Sequence, residues 1–110
     1  MSKLSLPEGV TELQIKDWKD KHSKVKLISC KRDNGEQAEY IIGQPTRDIL
    51  DAWVHHINND NTKKAREVLE NSCVLFGDKA LFAKDVNLQS TVLKKVQEML
   101  ENLQLEEKEL

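Results

Sequence analysis

Apolar side chains recur at helical spacing over most of this chain and at strand spacing over one stretch around residue 30. Leu13, Ile15 and Trp18 sit among Lys16, Asp17, Lys19 and Asp20 in residues 12–21, a short amphipathic segment that predicts a helix. Thr11 followed by Gln14 has the form of a capping box, and His22-Ser23 is the expected stop. Residues 24–31 read KVKLISCK and residues 36–42 read EQAEYII, both rich in β-formers. Asp33-Asn34-Gly35 lies between the two runs, and Asn-Gly in that position predicts a β-hairpin, with Gly35 supplying the positive φ the turn needs. Two registers remain open. A two-residue turn sets Tyr40 opposite Ser29 and Ile42 opposite Leu27, whereas a three-residue turn with a glycine bulge sets Tyr40 opposite Ile28. A lone ribbon is marginal in water, so helices must cover one face of it.

Gly43-Gln44-Pro45-Thr46 breaks the second run and opens a helix, with Thr46 as N-cap and Asp48 in the positive first turn. Ile49, Leu50, Trp53, Val54 and Ile57 then form one apolar stripe. Asn58-Asn59-Asp60-Asn61 is a cluster of turn formers. A second helix is expected over residues 62–74, with Ala65, Val68, Leu69 and Cys73 on one face, and Leu75-Phe76-Gly77-Asp78 ends it through a glycine. Residues 80–82 are a short apolar piece, one helical turn or a strand. Asp85 or Asn87 caps the last helix, where Leu88, Val92, Val96, Met99, Leu100 and Leu103 recur at three- and four-residue steps. The sum is α+β: an N-terminal helix, an antiparallel β-hairpin, and a bundle of three or more helices packed on it. Residues 11–104 form the single domain expected of a 110-residue chain, with flexible ends at 1–10 and 105–110.

Charge narrows the function classes. The net charge is −2, and both signs are spread along the whole length, without the basic stripe of a phosphate-binding surface. Lys63-Lys64 and Lys94-Lys95 are flanked by acids and read as solvated helix faces. Of the aromatics, only Tyr40 falls on an expected strand, so no base-stacking platform is indicated. No apolar run is long enough to span a membrane, and MSKLSLPEGV lacks the apolar core of a signal peptide. A cytoplasmic protein with two reduced thiols, Cys30 and Cys73, is the expectation.

The search for chemistry finds no convergent groups. Cys30 and Cys73 have no CxxC neighbour, and His55 and His56 point about 100° apart on a helix, so no metal site is expected. The four glycines stand singly, which excludes a phosphate-cradling loop. Asp48 and Asp51 lie one turn apart as surface acids early in a helix. The oxygen-rich 58–61 segment lacks the glycine and terminal glutamate of a calcium loop. Asp78 and Asp85 are read as capping and loop-ordering residues. No cofactor and no catalytic residue are assigned.

Residues 43–78 taken together carry a resemblance. Tyr40 ends a strand, Pro45-Thr46-Arg47 opens an amphipathic helix, an Asn-Asn-Asp turn follows, and the helix ending in Leu69 and Cys73 leads to Gly77-Asp78. In this succession, over roughly residues 24–103, the chain resembles the small tail-assembly chaperones of siphophages and their prophages. Pro45, Thr46, Cys73, Gly77 and Asp78 match, each as a structural position. The N-terminal helix with Trp18 is less typical of the family. The resemblance implies a non-enzymatic protein in the bacterial host cytoplasm that binds a long helical tape-measure protein before the tail tube polymerises. A small adaptor or a homo-oligomeric structural protein, also without catalytic activity, is the alternative. In either case the last helix is the candidate interface, through Val92, Leu93, Val96, Met99, Leu100 and Leu103, because that stripe is wider than one small core requires. It admits two readings: a groove for a partner helix, or core plus a homodimer seam.

Overall fold

In the computed structural model, which describes residues 7–32, 34–101 and 109, the elements run α1 (Glu12–His22), β1 (Val25–Lys31), β2 (Gln37–Gly43), α2 (Arg47–Asn58), α3 (Thr62–Cys73), β3 (Val74–Phe76), α4 (Lys79–Lys84) and α5 (Val86–Glu101). This is the expected α+β architecture. The capping box of α1 is complete: the Gln14 N–H donates to Thr11 Oγ1 and the Thr11 N–H donates to Gln14 Oε1. Thr46 Oγ1 accepts from the Ile49 N–H at the start of α2. Between the two candidate caps of α5, it is Asp85 that accepts from the Leu88 N–H, at 3.1 Å.

The hairpin takes the register of the three-residue turn, with Ile28 opposite Tyr40 and Leu27 opposite Ile41. The Gly35 N–H donates to the Arg32 carbonyl at 2.9 Å, with Gly35 at φ +85°. Beyond the expected hairpin the sheet gains a third strand. Val74–Phe76 is not merely the end of a helix. It pairs antiparallel with β2, Phe76 opposite Ile41 and Val74 opposite Ile42, which makes β2 the central strand. Val74 is already extended where α3 stops, and three β-prone residues complete the second edge of β2. Gly77 follows at φ +142°, against the Tyr40 ring, where any Cβ would run into the aromatic carbons. The short apolar piece at 80–82 resolves as α4.

Strand alternation gives the sheet two working faces. On one, Ile28, Cys30, Ala38, Tyr40, Ile42 and Val74 meet Leu69 and Cys73 of α3, Phe82 of α4, and Leu88, Val92 and Val96 of α5. Tyr40 and Phe82 pack with ring centroids 5.7 Å apart, and the Tyr40 hydroxyl donates to the Asp78 carbonyl at 2.8 Å. On the other face lie Leu27, Ile41 and Phe76. α1 contacts both β1 and β2. Its last residue, His22, is 7% exposed, over Gly43, and its Nδ1 is 3.0 Å from the Gln44 carbonyl.

Of the ends expected to be flexible, residues 1–6, 105–108 and 110 lie outside the described residues, as do residues 102–104 of the expected domain. Pro7 to Val10 forms a turn, in which the Val10 N–H donates to the Pro7 carbonyl at 3.1 Å and Val10 is buried.

Candidate functional site

The stripe of the last helix is the first surface to place. Val92 and Val96 are 0% exposed, and Leu93 and Met99 are buried with them in the cluster that joins α5 to the sheet, α3 and α4. These four side chains are therefore core and offer no open groove in this fold. The Leu100 side chain and the whole of Leu103 lie outside the described residues.

The open stripe belongs to α2. This helix has no buried residue although it is strongly amphipathic. Ile49 and Trp53 lean on the core cluster as partly buried neighbours. Leu50, Val54 and Ile57, at i, i+4 and i+7, run along the adjacent side, with Leu50 half-buried and Val54 and Ile57 each 39% exposed. Such spacing puts them on one line over two turns, about 10 Å long. The helix is held at both ends. Pro45 is buried just before the Thr46 cap. At the far end the Asn59 Nδ2 donates to the His55 carbonyl at 2.8 Å, Asp60 turns at φ +56°, and Asn61 Oδ1 caps α3 through the Lys64 N–H. α3 is the main neighbour of α2, so the pair stands as a helical hairpin with one side of α2 unclothed. Leu13 and Val86 are also exposed, but singly, which is ordinary for a protein surface.

The second surface is the outer edge of β1, which faces α5 across two adjoining clefts. One, of about 540 Å³, is lined by Leu27, Ile28 and Ile42 with Lys95 and Glu98. The other, of about 320 Å³, is lined by Cys30, Arg32, Asp85, Leu88 and Thr91. Ser29 borders both. At one end Arg32 Nε reaches Asp85 Oδ2 across the cleft at 3.2 Å, with Glu36 joining Arg32 at 3.3 Å, and at the other Lys95 pairs with Glu98 within α5 at 3.0 Å. The Asp85 carboxyl lies below the usual carboxylate range because the Leu88 backbone N–H donates to it, with Arg32 adding to the effect. The Lys95 hydrogen bond, and then the charges of Lys95, Lys94 and Lys26, lower that of Glu98.

Groups considered for chemistry are placed apart. Burial pushes the Cys73 thiol up to about 12 and raises that of Cys30, which suits inert packing groups and not nucleophiles; both are free thiols. Burial, with the Asp78 charge second, raises the Tyr40 phenol. Asp48 and Asp51 are exposed on α2. His55 and His56 sit edge to face at its last turn. Asp78 Oδ1 caps α4 by accepting from the Leu81 N–H at 3.0 Å. Among the described residues, no three His, Cys, Asp or Glu side chains converge as a metal site would require, and no helix is long and apolar enough to cross a membrane. Compared with protein families, curated proteins and solved structures, the chain matches none.

Proposed function

We propose that the chain is a non-enzymatic protein-binding module of the tail-assembly chaperone kind, which holds a helical segment of a long tape-measure-like partner. The observation that carries the reading is the α2 stripe in which half-buried Leu50 continues into exposed Val54 and Ile57. An apolar line at i, i+4 and i+7 on a helix fastened at both ends is the surface onto which an amphipathic partner helix docks. The resemblance noted in the sequence supports the same reading. Its matched positions work here as scaffold: Thr46 and Asp78 cap helices, Cys73 lies in the core, and Gly77 admits the Tyr40 ring. The partner surface is assigned to α2 and not to α5, whose described apolar side chains are occupied.

Sequencing the flanking DNA for a long helical reading frame, and co-expression with its product, test the reading. The wild-type chain is expected to keep that protein in solution and co-purify with it, and V54E/I57E is expected to lose the complex while remaining folded. Flanking DNA without a long helical reading frame would overturn the assignment. So would a complex indifferent to V54E/I57E. A wild-type homodimer that V54E/I57E converts to monomer would favour the alternative, a homo-oligomeric structural protein.

A further inference from the structure

The edge of β1 carries an inference independent of the α2 stripe. At either end of the hairpin the Gln44 N–H donates to the Lys24 carbonyl and the Arg32 N–H donates to the Glu36 carbonyl, at 2.9 and 2.7 Å. Residues of an antiparallel ladder alternate between facing the partner strand and facing away. With Lys24 and Arg32 facing β2, the even positions 26, 28 and 30 face it too, and Val25, Leu27, Ser29 and Lys31 turn both N–H and C=O outward. β1 is one of the sheet's two edge strands, and the two clefts against α5 run beside that outward row. Along the strand itself the charge is one-sided, while Asp85 and Glu98 of the clefts are engaged by Arg32 and Lys95. The stretch 24–32 holds Lys24, Lys26, Lys31 and Arg32 and no acid. Among the described residues Lys24, Lys26 and Lys31 have no ion-pair partner.

We infer that the open edge of β1 is a docking site for an extended acidic segment of another protein, added antiparallel or parallel as a fourth strand. The outward row needs an occupant that both donates and accepts at strand spacing, which a peptide backbone does. A phosphodiester chain only accepts. Side chains of the segment on the α5 side enter the clefts beside Ile28 and Lys26, and the alternate ones on the opposite face meet Leu27 and Lys31. A second copy fits less well. Antiparallel pairing over the full strand, Val25 opposite Lys31, sets Lys24 opposite the Arg32 of the other copy at both ends, and like charges directly opposite repel. Edge lysines guard sheets against self-pairing, and the same lysines attract a strand of opposite charge.

The test is fluorescence anisotropy with a labelled decapeptide alternating glutamate and valine, its lysine counterpart, and a single-stranded oligonucleotide as control. The glutamate peptide is expected to bind saturably and the lysine peptide at least about tenfold more weakly. Ser29→Pro removes one outward N–H and leaves the β1–β2 ladder intact, and should weaken binding by a similar factor. K26E/K31E, two exposed surface changes that keep the backbone, should reverse the peptide preference; it also serves if S29P unfolds. Equal binding by the wild type and both variants would overturn the proposal, as would preference for the oligonucleotide. A wild-type dimer dissolved by S29P would overturn the assignment of a foreign partner in favour of a second copy. Glutamate-peptide binding that appears only after removal of residues 102–110 would do so in favour of the chain's own acidic end.

Discussion

Helices α2 and α5 present similar apolar stripes in sequence and opposite fates in the fold. α5 lies where α3, α4 and β2 meet it, so its stripe of Leu88, Val92, Leu93, Val96 and Met99 is buried. α2 has α3 as its main neighbour and only Ile49 and Trp53 reach the core, so Leu50, Val54 and Ile57 have no equivalent cover. The difference teaches that periodicity reports an apolar face, whereas topology decides whether the chain itself covers that face. A helix whose stripe closes the core has no freedom to bind; one whose stripe is left over does.

Substitutions should separate the two helices sharply. The largest effect is expected from Val96→Asp, which places an unpaired carboxylate in the 0%-exposed centre of the core and should cost about 4 kcal/mol or more, seen in urea as loss of the cooperative transition. Leu69→Ala, on the α3 side of the same cluster, should lower the urea-derived stability by about 3 kcal/mol. Tyr40→Phe removes only the hydroxyl bonded to the Asp78 carbonyl and should cost about 1 kcal/mol by the same measurement. Val54→Glu and Ile57→Glu should each shift stability by no more than about 0.5 kcal/mol while abolishing partner binding, the reverse of the α5 pattern.

The smallest effect is a pH dependence at the start of α5. Asp85 titrates below its ordinary value in the fold, chiefly through the Leu88 N–H and then Arg32. Its stabilising contribution is therefore complete above the ordinary carboxylate range and drains away as pH falls through the lowered folded value. Asp85→Asn keeps the cap but not the charge. Urea curves of D85N and wild type should differ at neutral pH and draw together under acid.

Local signals were legible and non-local ones were not. Thr11 with Gln14, Thr46 and the Asn-Gly turn could be read directly because capping and turn chemistry operate within a few residues. The hairpin register lay between two alternatives, since either turn length satisfies residues 33–35, and only the pairing of Ile28 with Tyr40 chooses. Val74–Phe76 read as the end of a helix because three residues carry too little pattern, and its partner β2 lies more than thirty positions earlier. The outward hydrogen-bonding row of β1 depends on that register, so the edge site was invisible until the ladder was known. The assignment of an interface to α5 followed from the width of its stripe. α3, α4 and β2 together supply the surface that this width covers.

Amide hydrogen exchange on the chain alone and in a complex with the helical partner proposed for it decides whether α2 is the binding surface. Added protection over residues 50–57 of α2, with residues 92–99 of α5 unchanged, is the predicted result. Protection gained in α5 with none in α2 would contradict it.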